Sequence, residues 1–113
     1  MKTYDGEQTL MRIFVSEADK TDGKALYEVL LKTLRDEKIA GVTVLRGIAG
    51  FGAKSHLHKA NILSLSQDLP IVIEVIDTQD NIDRVLGKIE GILPEGLVTL
   101  EKVRTLRYGE ASN

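Results

Sequence analysis

The segment from Gln8 to Val15 has the two-residue period of a β-strand, with Met11, Ile13 and Val15 on one face and Leu10, Arg12 and Phe14 on the other. Two later segments, from Gly41 to about Phe51 and from Ile71 to Ile76, are rich in β-branched residues and also indicate strands. A fourth strand is predicted from Leu97 to about Leu106. The connection between the second and third strands is long.

Two segments instead show the periodicity of amphipathic helices. The first runs from Lys24 to about Lys38, after a predicted turn and cap at Thr21-Asp22-Gly23. The second begins after Thr78, whose hydroxyl can cap it, and is ended by Gly91 and Pro94. The apolar stripes are Leu26, Leu30, Leu31 and Leu34 in the first helix, and Ile82, Val85, Leu86 and Ile89 in the second.

The resulting order, βαββαβ, predicts an α+β fold of the ferredoxin-like kind. In this sandwich a four-stranded antiparallel sheet carries both helices on one face. The 113 residues are expected to form one domain, with no second domain and no internal repeat.

The face of the sheet that the helices leave bare, called the uncovered face below, is predicted to carry apolar residues. An antiparallel sheet whose second face meets water should carry polar residues there. The side chains expected on this face are Leu10, Arg12, Phe14, Val72, Glu74 and Ile76. Such a patch predicts a homo-oligomer. Arg12 and Glu74 are expected to pair inside it, the alternative being two solvated charges.

The amino-acid composition argues against several classes of function. The formal charge of -2 argues against nonspecific electrostatic binding to nucleic acid or to anionic membranes. The chain has no cysteine, which excludes disulfides, thiolate metal sites and a cysteine nucleophile. The first residues are polar and no apolar run has the length of a membrane span, so a cytoplasmic location is expected.

No pattern of catalytic residues stands out. The sequence has neither a Gly-x-Ser-x-Gly elbow nor a Ser-x-x-Lys pair, which favours a protein that is not an enzyme. Acidic pairs such as Asp36 with Glu37 are explained by capping and solvation at helix ends. His56 and His58 are a weak candidate for two metal ligands, since nothing nearby completes the set. No metal is expected.

The second strand ends in glycines, at Gly47, Gly50 and Gly52, with Phe51 between the last two. A strand without side chains lets a ligand or another chain approach the backbone, and successive N–H groups there can attract an anion. Phe51 is either a packing plug or a platform on which a base stacks.

Four segments together resemble the PII-like proteins, and in particular a branch catalogued only as a domain of unknown function. They read GEQTL from Gly6, LYE from Leu26, AGVTVLRGIAGFG from Ala40 and SQDLP from Ser66, and the resemblance covers nearly the whole chain. The PII signalling proteins themselves also have a Gly-x-Thr-Val start and a Gly-Phe-Gly end on the second strand.

The resemblance implies a homotrimer with inward-facing sheets and an adenine nucleotide in each cleft between subunits. It implies these nucleotide-binding residues: Thr43, Gly50, Phe51, Gly52, Glu95, Gly96, Arg104 and Arg107. AMP, cyclic AMP, ADP and ATP all stay open. Leu97 replaces a basic residue of the PII proteins, and Arg104 and Arg107 are three apart, which places them on opposite faces of a strand.

The resemblance further implies a role in signal transduction. Residues 53-69 occupy the place of the mobile loop through which PII proteins contact their partners. A loop of this length inside a small domain is usually functional or disordered. We expect an unidentified protein partner there. A membrane protein is among the candidates, although no membrane segment is predicted in the chain itself.

Two other functions share the βαββαβ order. One is an RNA-binding module, which would expose stacking aromatics on central strands and carry a basic surface. Only Phe14 lies well within a central strand, and nucleic acid is not expected as a partner. The other is a small metal-binding or enzymatic ferredoxin-like oligomer.

Overall fold

The computed structural model describes residues 1–50 and 68–110. Within these two ranges the structure contains six strands and two helices: β1 (Lys2–Ser16), β2 (Lys20–Thr21), β3 (Lys24–Ala25), α1 (Leu26–Asp36), β4 (Gly41–Arg46), β5 (Pro70–Asp77), α2 (Gln79–Ile92) and β6 (Leu97–Tyr108). Apart from the short pair β2 and β3, the order is the predicted βαββαβ.

The four long strands form one antiparallel sheet in the order β4-β5-β1-β6. Both helices pack on the same face of it. Alternate residues of β1 and β5 and the apolar stripes of α1 and α2 make a single buried cluster, because a two-residue period in the strands and a helical period in the helices each present one apolar side. The fully or nearly fully buried members are Met11, Ile13, Val15, Leu26, Leu30, Leu34, Ile71, Ile73, Val75, Ile82, Val85 and Ile89. The predicted α+β, ferredoxin-like sandwich is confirmed.

The first strand is longer than predicted. It begins at Lys2 rather than Gln8, and its N-terminal half pairs only with β6, since β5 joins β1 from Thr9 onward. Residues 2–8 and 103–108 therefore form a two-stranded extension of the sheet, called the ribbon below. The ribbon lies beyond the helices, so its sequence has no apolar alternation to reveal it.

The predicted cap of the first helix is wrong. Asp22 and Gly23 have positive φ angles of 49° and 77°, which is the geometry of a tight hairpin turn between β2 and β3. Helix α1 then starts at Leu26, with Ala25 at the N-cap and no side-chain cap. Strand β4 also ends earlier than predicted, at Arg46 instead of near Phe51.

The second helix is capped as predicted, and Asp77 adds to that cap. The hydroxyl of Thr78 accepts a hydrogen bond from the Asn81 backbone N–H at 3.2 Å. The buried Asp77 carboxylate accepts hydrogen bonds from the Ala40 N–H (2.9 Å), the Thr78 N–H (2.7 Å) and the Asn81 side-chain amide (2.9 Å). This single side chain thus joins α2 to the chain entering β4.

We predict that replacing Asp77 by Asn lowers the free energy of unfolding by about 2 kcal/mol at neutral pH, because one amide cannot accept from all three donors. Burial raises the pKa of Asp77, but the hydrogen bonds outweigh burial and lower it below the ordinary 3.8. The contribution is therefore present at neutral pH and is lost as the pH falls below that value. Urea denaturation across this pH range measures it. Asp80→Asn, in the exposed first turn of α2, is the control; equal losses in both variants would contradict the prediction.

Candidate functional site

The uncovered face is built from rows of side chains that cross all four strands. At one end of the sheet the pairing places Leu45, Val72, Phe14 and Leu97 in one apolar row. Leu45 and Leu97 are 46% and 59% exposed. No helix of the described residues covers this row, so apolar surface lies open to solvent in a single copy of the chain.

The next row is polar and carries an ion-pair network. It consists of Thr43, Glu74, Arg12 and Thr99. The Arg12 guanidinium donates to Glu74 and, one row further, to Glu101, each at 2.8 Å. The hydrogen bond to Glu74, followed by that to Glu101, raises the pKa of Arg12. The predicted contact between Arg12 and Glu74 is thus present within one chain.

The glycines after β4 have a structural reason that the sequence analysis missed. The Gly47 N–H donates to the Pro70 carbonyl at 2.7 Å, and a Cβ at position 47 would lie 2.7 Å from the Pro70 ring. Gly50 has φ +156°, and a Cβ there would lie 3.1 Å from the same ring. The turn packs flat against Pro70, which leaves little space for a side chain at either position.

Glu95 and Gly96 lie in the turn between α2 and β6. A Cβ at Gly96 would lie 3.1 Å from the Phe14 carbonyl oxygen, so this turn also packs closely on the sheet. Both residues are at the same end of the sheet as Gly50. They sit beside β6, however, whereas Gly50 follows β4 at the opposite edge.

The two arginines lie on the ribbon, at the other end of the molecule. Strand spacing puts Arg104 roughly 23 Å along β6 from Leu97. Arg104 is opposite Glu7 and Arg107 is opposite Tyr4, so consecutive register positions place them on opposite faces of the ribbon, as predicted. Arg104 forms a bidentate ion pair with Asp5, in which Nε donates to Oδ1 at 3.0 Å and Nη2 donates to Oδ2 at 2.9 Å.

Those predicted nucleotide-binding residues that the structure describes therefore do not meet in one chain. Thr43 lies midway along an edge strand, Gly50 and the 95–96 turn lie at one end of the sheet, and the arginines lie beyond the other end. Phe51, Gly52, His56, His58 and most of the predicted loop 53-69 fall outside the described residues. Within residues 1–50 and 68–110, no three His, Cys, Asp or Glu side chains are placed to hold a metal ion.

The structure also shows a role for Glu17 that the sequence analysis missed. Glu17 lies just past β1, where its carboxylate pairs with Arg46 at 2.9 Å and its backbone N–H donates to the Leu69 carbonyl at 2.8 Å. Arg46 ends β4 and Leu69 precedes β5, so Glu17 contacts both ends of the long connection between these strands. No local motif signals this contact, because the three residues are far apart in sequence.

The chain belongs to the DUF190 family, described as "Uncharacterized ACR", whose model matches residues 8–105. A UPF0166 protein of Aquifex aeolicus is 38% identical over 100 residues, which is 88% of this chain and 94% of that protein. These matches confirm the expected branch of unknown function. Neither name is that of an enzyme.

Solved structures with the same fold are PII-like. The apo form of CPII from Thiomonas intermedia K12, a nitrogen regulatory PII-like protein, matches 93% of this chain and 98% of its own, with a TM-score of 0.64 and 14% identity. CPII bound to ADP, AMP and acetate matches 92% of this chain and 93% of its own, with a TM-score of 0.62 and 15% identity. The described chain thus has the PII-like fold. Neither helix that it contains is long and apolar enough to cross a membrane.

We predict that Gly47→Ala lowers the free energy of unfolding by about 1 to 3 kcal/mol, because the new methyl group overlaps the Pro70 ring. Gly41→Ala is the matched control, since a Cβ there has no neighbour within 4 Å among the described residues. Chemical denaturation of both variants measures the difference. Equal stability of the two variants would mean that the turn does not need glycine at position 47.

Proposed function

We propose that this chain is a PII-like regulatory protein that binds an adenine nucleotide in clefts between the subunits of a homotrimer. The observation that carries the proposal is the shared fold with CPII, a protein whose structure holds ADP and AMP. Another CPII structure, with ADP and bicarbonate, has a TM-score of 0.64 to this chain. The similarity extends over more than nine-tenths of the chain.

The uncovered face supports the homotrimer. Its apolar row runs across the full width of the sheet, and burying it against other copies removes that surface from water. The network of Arg12 with Glu74 and Glu101 lies in the adjacent rows. Burying an unpaired charge in an interface is strongly destabilising. Each of these charged groups already has an ion-pair partner before assembly.

The separation of the nucleotide-binding residues supports a site between subunits. One copy holds Thr43 and the glycine turn, and the arginines extend away on the ribbon. A neighbouring copy in a closed ring can bring its ribbon to them. Phe51 and Gly52 remain assigned to this site by resemblance alone, as does the choice among AMP, cyclic AMP, ADP and ATP.

The chemistry of the uncovered face disfavours the RNA-binding alternative. One guanidinium is flanked there by two carboxylates, so the centre of the face carries net negative charge, which repels phosphates. We propose a role that is not enzymatic, in which the nucleotide alters the 53-69 loop and so changes its affinity for a protein partner. A cytoplasmic location stays a prediction from the sequence.

We predict that isothermal titration calorimetry shows sub-millimolar binding of at least one of AMP, cyclic AMP, ADP and ATP. Arg107→Ala should weaken that binding at least tenfold, because it removes a cation that contacts phosphate. This variant is preferable to Gly50→Val, whose side chain would meet Pro70 and disturb the fold.

Arg35→Ala is the control for the loss of a positive charge, since Arg35 lies in the last turn of α1, away from the ribbon. It should bind like the wild type. Absence of heat with all four nucleotides would contradict nucleotide binding. An equal loss in both arginine variants would show that net charge, and not a site on the ribbon, attracts the ligand.

We predict that light scattering after gel filtration gives a mass three times the 12.5 kDa of the chain. Leu45→Glu should reduce the mass to that of one chain, because it places a charge in the apolar row of the uncovered face. Leu31→Glu is the control, since Leu31 is 38% exposed on α1 on the other side of the sheet. A wild-type mass of one chain at micromolar concentration would contradict the trimer.

A further inference from the structure

Arg104 and Arg107, the two arginines of the ribbon, differ in the partners of their side chains. Among residues 1–50 and 68–110, the Arg107 guanidinium forms no hydrogen bond or ion pair, although its positive charge helps to lower the pKa of Asp77. Arg104, in contrast, donates from Nε and Nη2 to the two carboxylate oxygens of Asp5, at 3.0 and 2.9 Å. The two carboxylate oxygens thus occupy the Nε and Nη2 edge of the guanidinium, which is one of its two edges that can form paired hydrogen bonds.

A phosphate group that binds to the Nε and Nη2 edge would need the same donors as Asp5. Two parallel N–H groups of arginine match either two carboxylate oxygens or two phosphate oxygens, and the geometry is the same in both cases. Arg104 is mostly exposed, with 72% of its side chain open to solvent, so a ligand can reach it. Nε and Nη2 cannot serve Asp5 and a phosphate together.

The surroundings hold Asp5 in this position. Asp5 lies opposite Leu106 in the β1 and β6 pairing, two residues along β1 from Glu7, which is opposite Arg104. Lys2 approaches Asp5 at 3.5 Å. The hydrogen bond from Arg104 lowers the pKa of Asp5, and burial opposes this only in part. The carboxylate is therefore ionised at neutral pH. Beside the pair is an open hollow of about 380 Å³ whose walls include Lys102 and Val103.

We infer that Asp5 acts as an internal competitor for phosphate at Arg104, and so sets the affinity of the nucleotide site. The inference rests on the proposed function, because it assigns to Asp5 a role at the same site. An incoming phosphate replaces the Asp5 carboxylate on the guanidinium, and the free energy of the lost ion pair is subtracted from the free energy of binding. Removal of the carboxylate makes Arg104 available in advance.

The test is isothermal titration calorimetry with ADP on the full chain. Asp5→Asn should bind ADP about 1.5- to fivefold more tightly than the wild type, which is the range expected from an exposed ion pair. Arg104→Ala should bind more weakly. In the double variant the Asp5→Asn change should bring no gain over Arg104→Ala, because Asp5 acts only through Arg104.

Glu7→Gln is the matched control. It removes one negative charge from the same ribbon, but the Glu7 carboxylate lies 3.8 Å from Lys102 and does not occupy the Arg104 donors. It should bind ADP as the wild type does. If Glu7→Gln gains as much as Asp5→Asn, local charge explains the effect and the inference is overturned.

The remaining outcomes separate the inference from the function on which it rests. If the wild type binds ADP and Asp5→Asn binds it no more tightly, the inference fails and the proposed function stands. If no variant binds any of the four nucleotides, the proposed function fails first and the role of Asp5 fails with it. Thermal melts, with Asp5→Ala as a second variant, verify that each protein is folded.

Discussion

The uncovered face of the sheet is the constraint on which the rest of the structure depends. The core on the helix side is complete within one chain, since alternate residues of β1 and β5 and both helices bury one another. On the other side the same strands carry a full row of apolar residues with nothing from the described chain above it. A sequence selected to live as a single copy would place polar residues there. The apolar row therefore supports the proposed homotrimer.

The position of the ion pairs fits that view. Arg12 is held between Glu74 and Glu101 beside the apolar row, so the charged groups that an assembly would enclose already satisfy one another. On the ribbon, in contrast, the Arg107 guanidinium forms no hydrogen bond with the described residues, although its charge acts on Asp77, and Arg104 has one partner that it can exchange. Each charged group of the network on the uncovered face therefore has an ion-pair partner, although two carboxylates share one guanidinium. The arginines of the ribbon, where a ligand would enter, are less fully engaged.

Much of this architecture could be predicted because it is encoded locally. Alternation in β5 and the Thr78 cap of α2 involve residues that are neighbours in the chain, and both are present as expected. The ribbon could not be predicted, since residues 2–8 pair with β6 and have no helix to bury against. The need for Gly47 was also hidden, because its partner Pro70 follows only after the long connection. The Asp5 contact with Arg104 joins the two ends of the chain. Each of these features depends on pairing at long range.

The contacts of Glu17 have a consequence for how this protein can vary. Its carboxylate forms an ion pair with Arg46, and its backbone N–H donates to the Leu69 carbonyl. The Gly47 N–H donates to the Pro70 carbonyl, so both ends of the long connection are bound to the sheet and to each other. Closing a longer loop costs little extra entropy once its ends are fixed. Insertions, deletions and new binding sequences between these two ends can therefore arise without disturbing the strands. One scaffold could in this way serve different partners in different lineages.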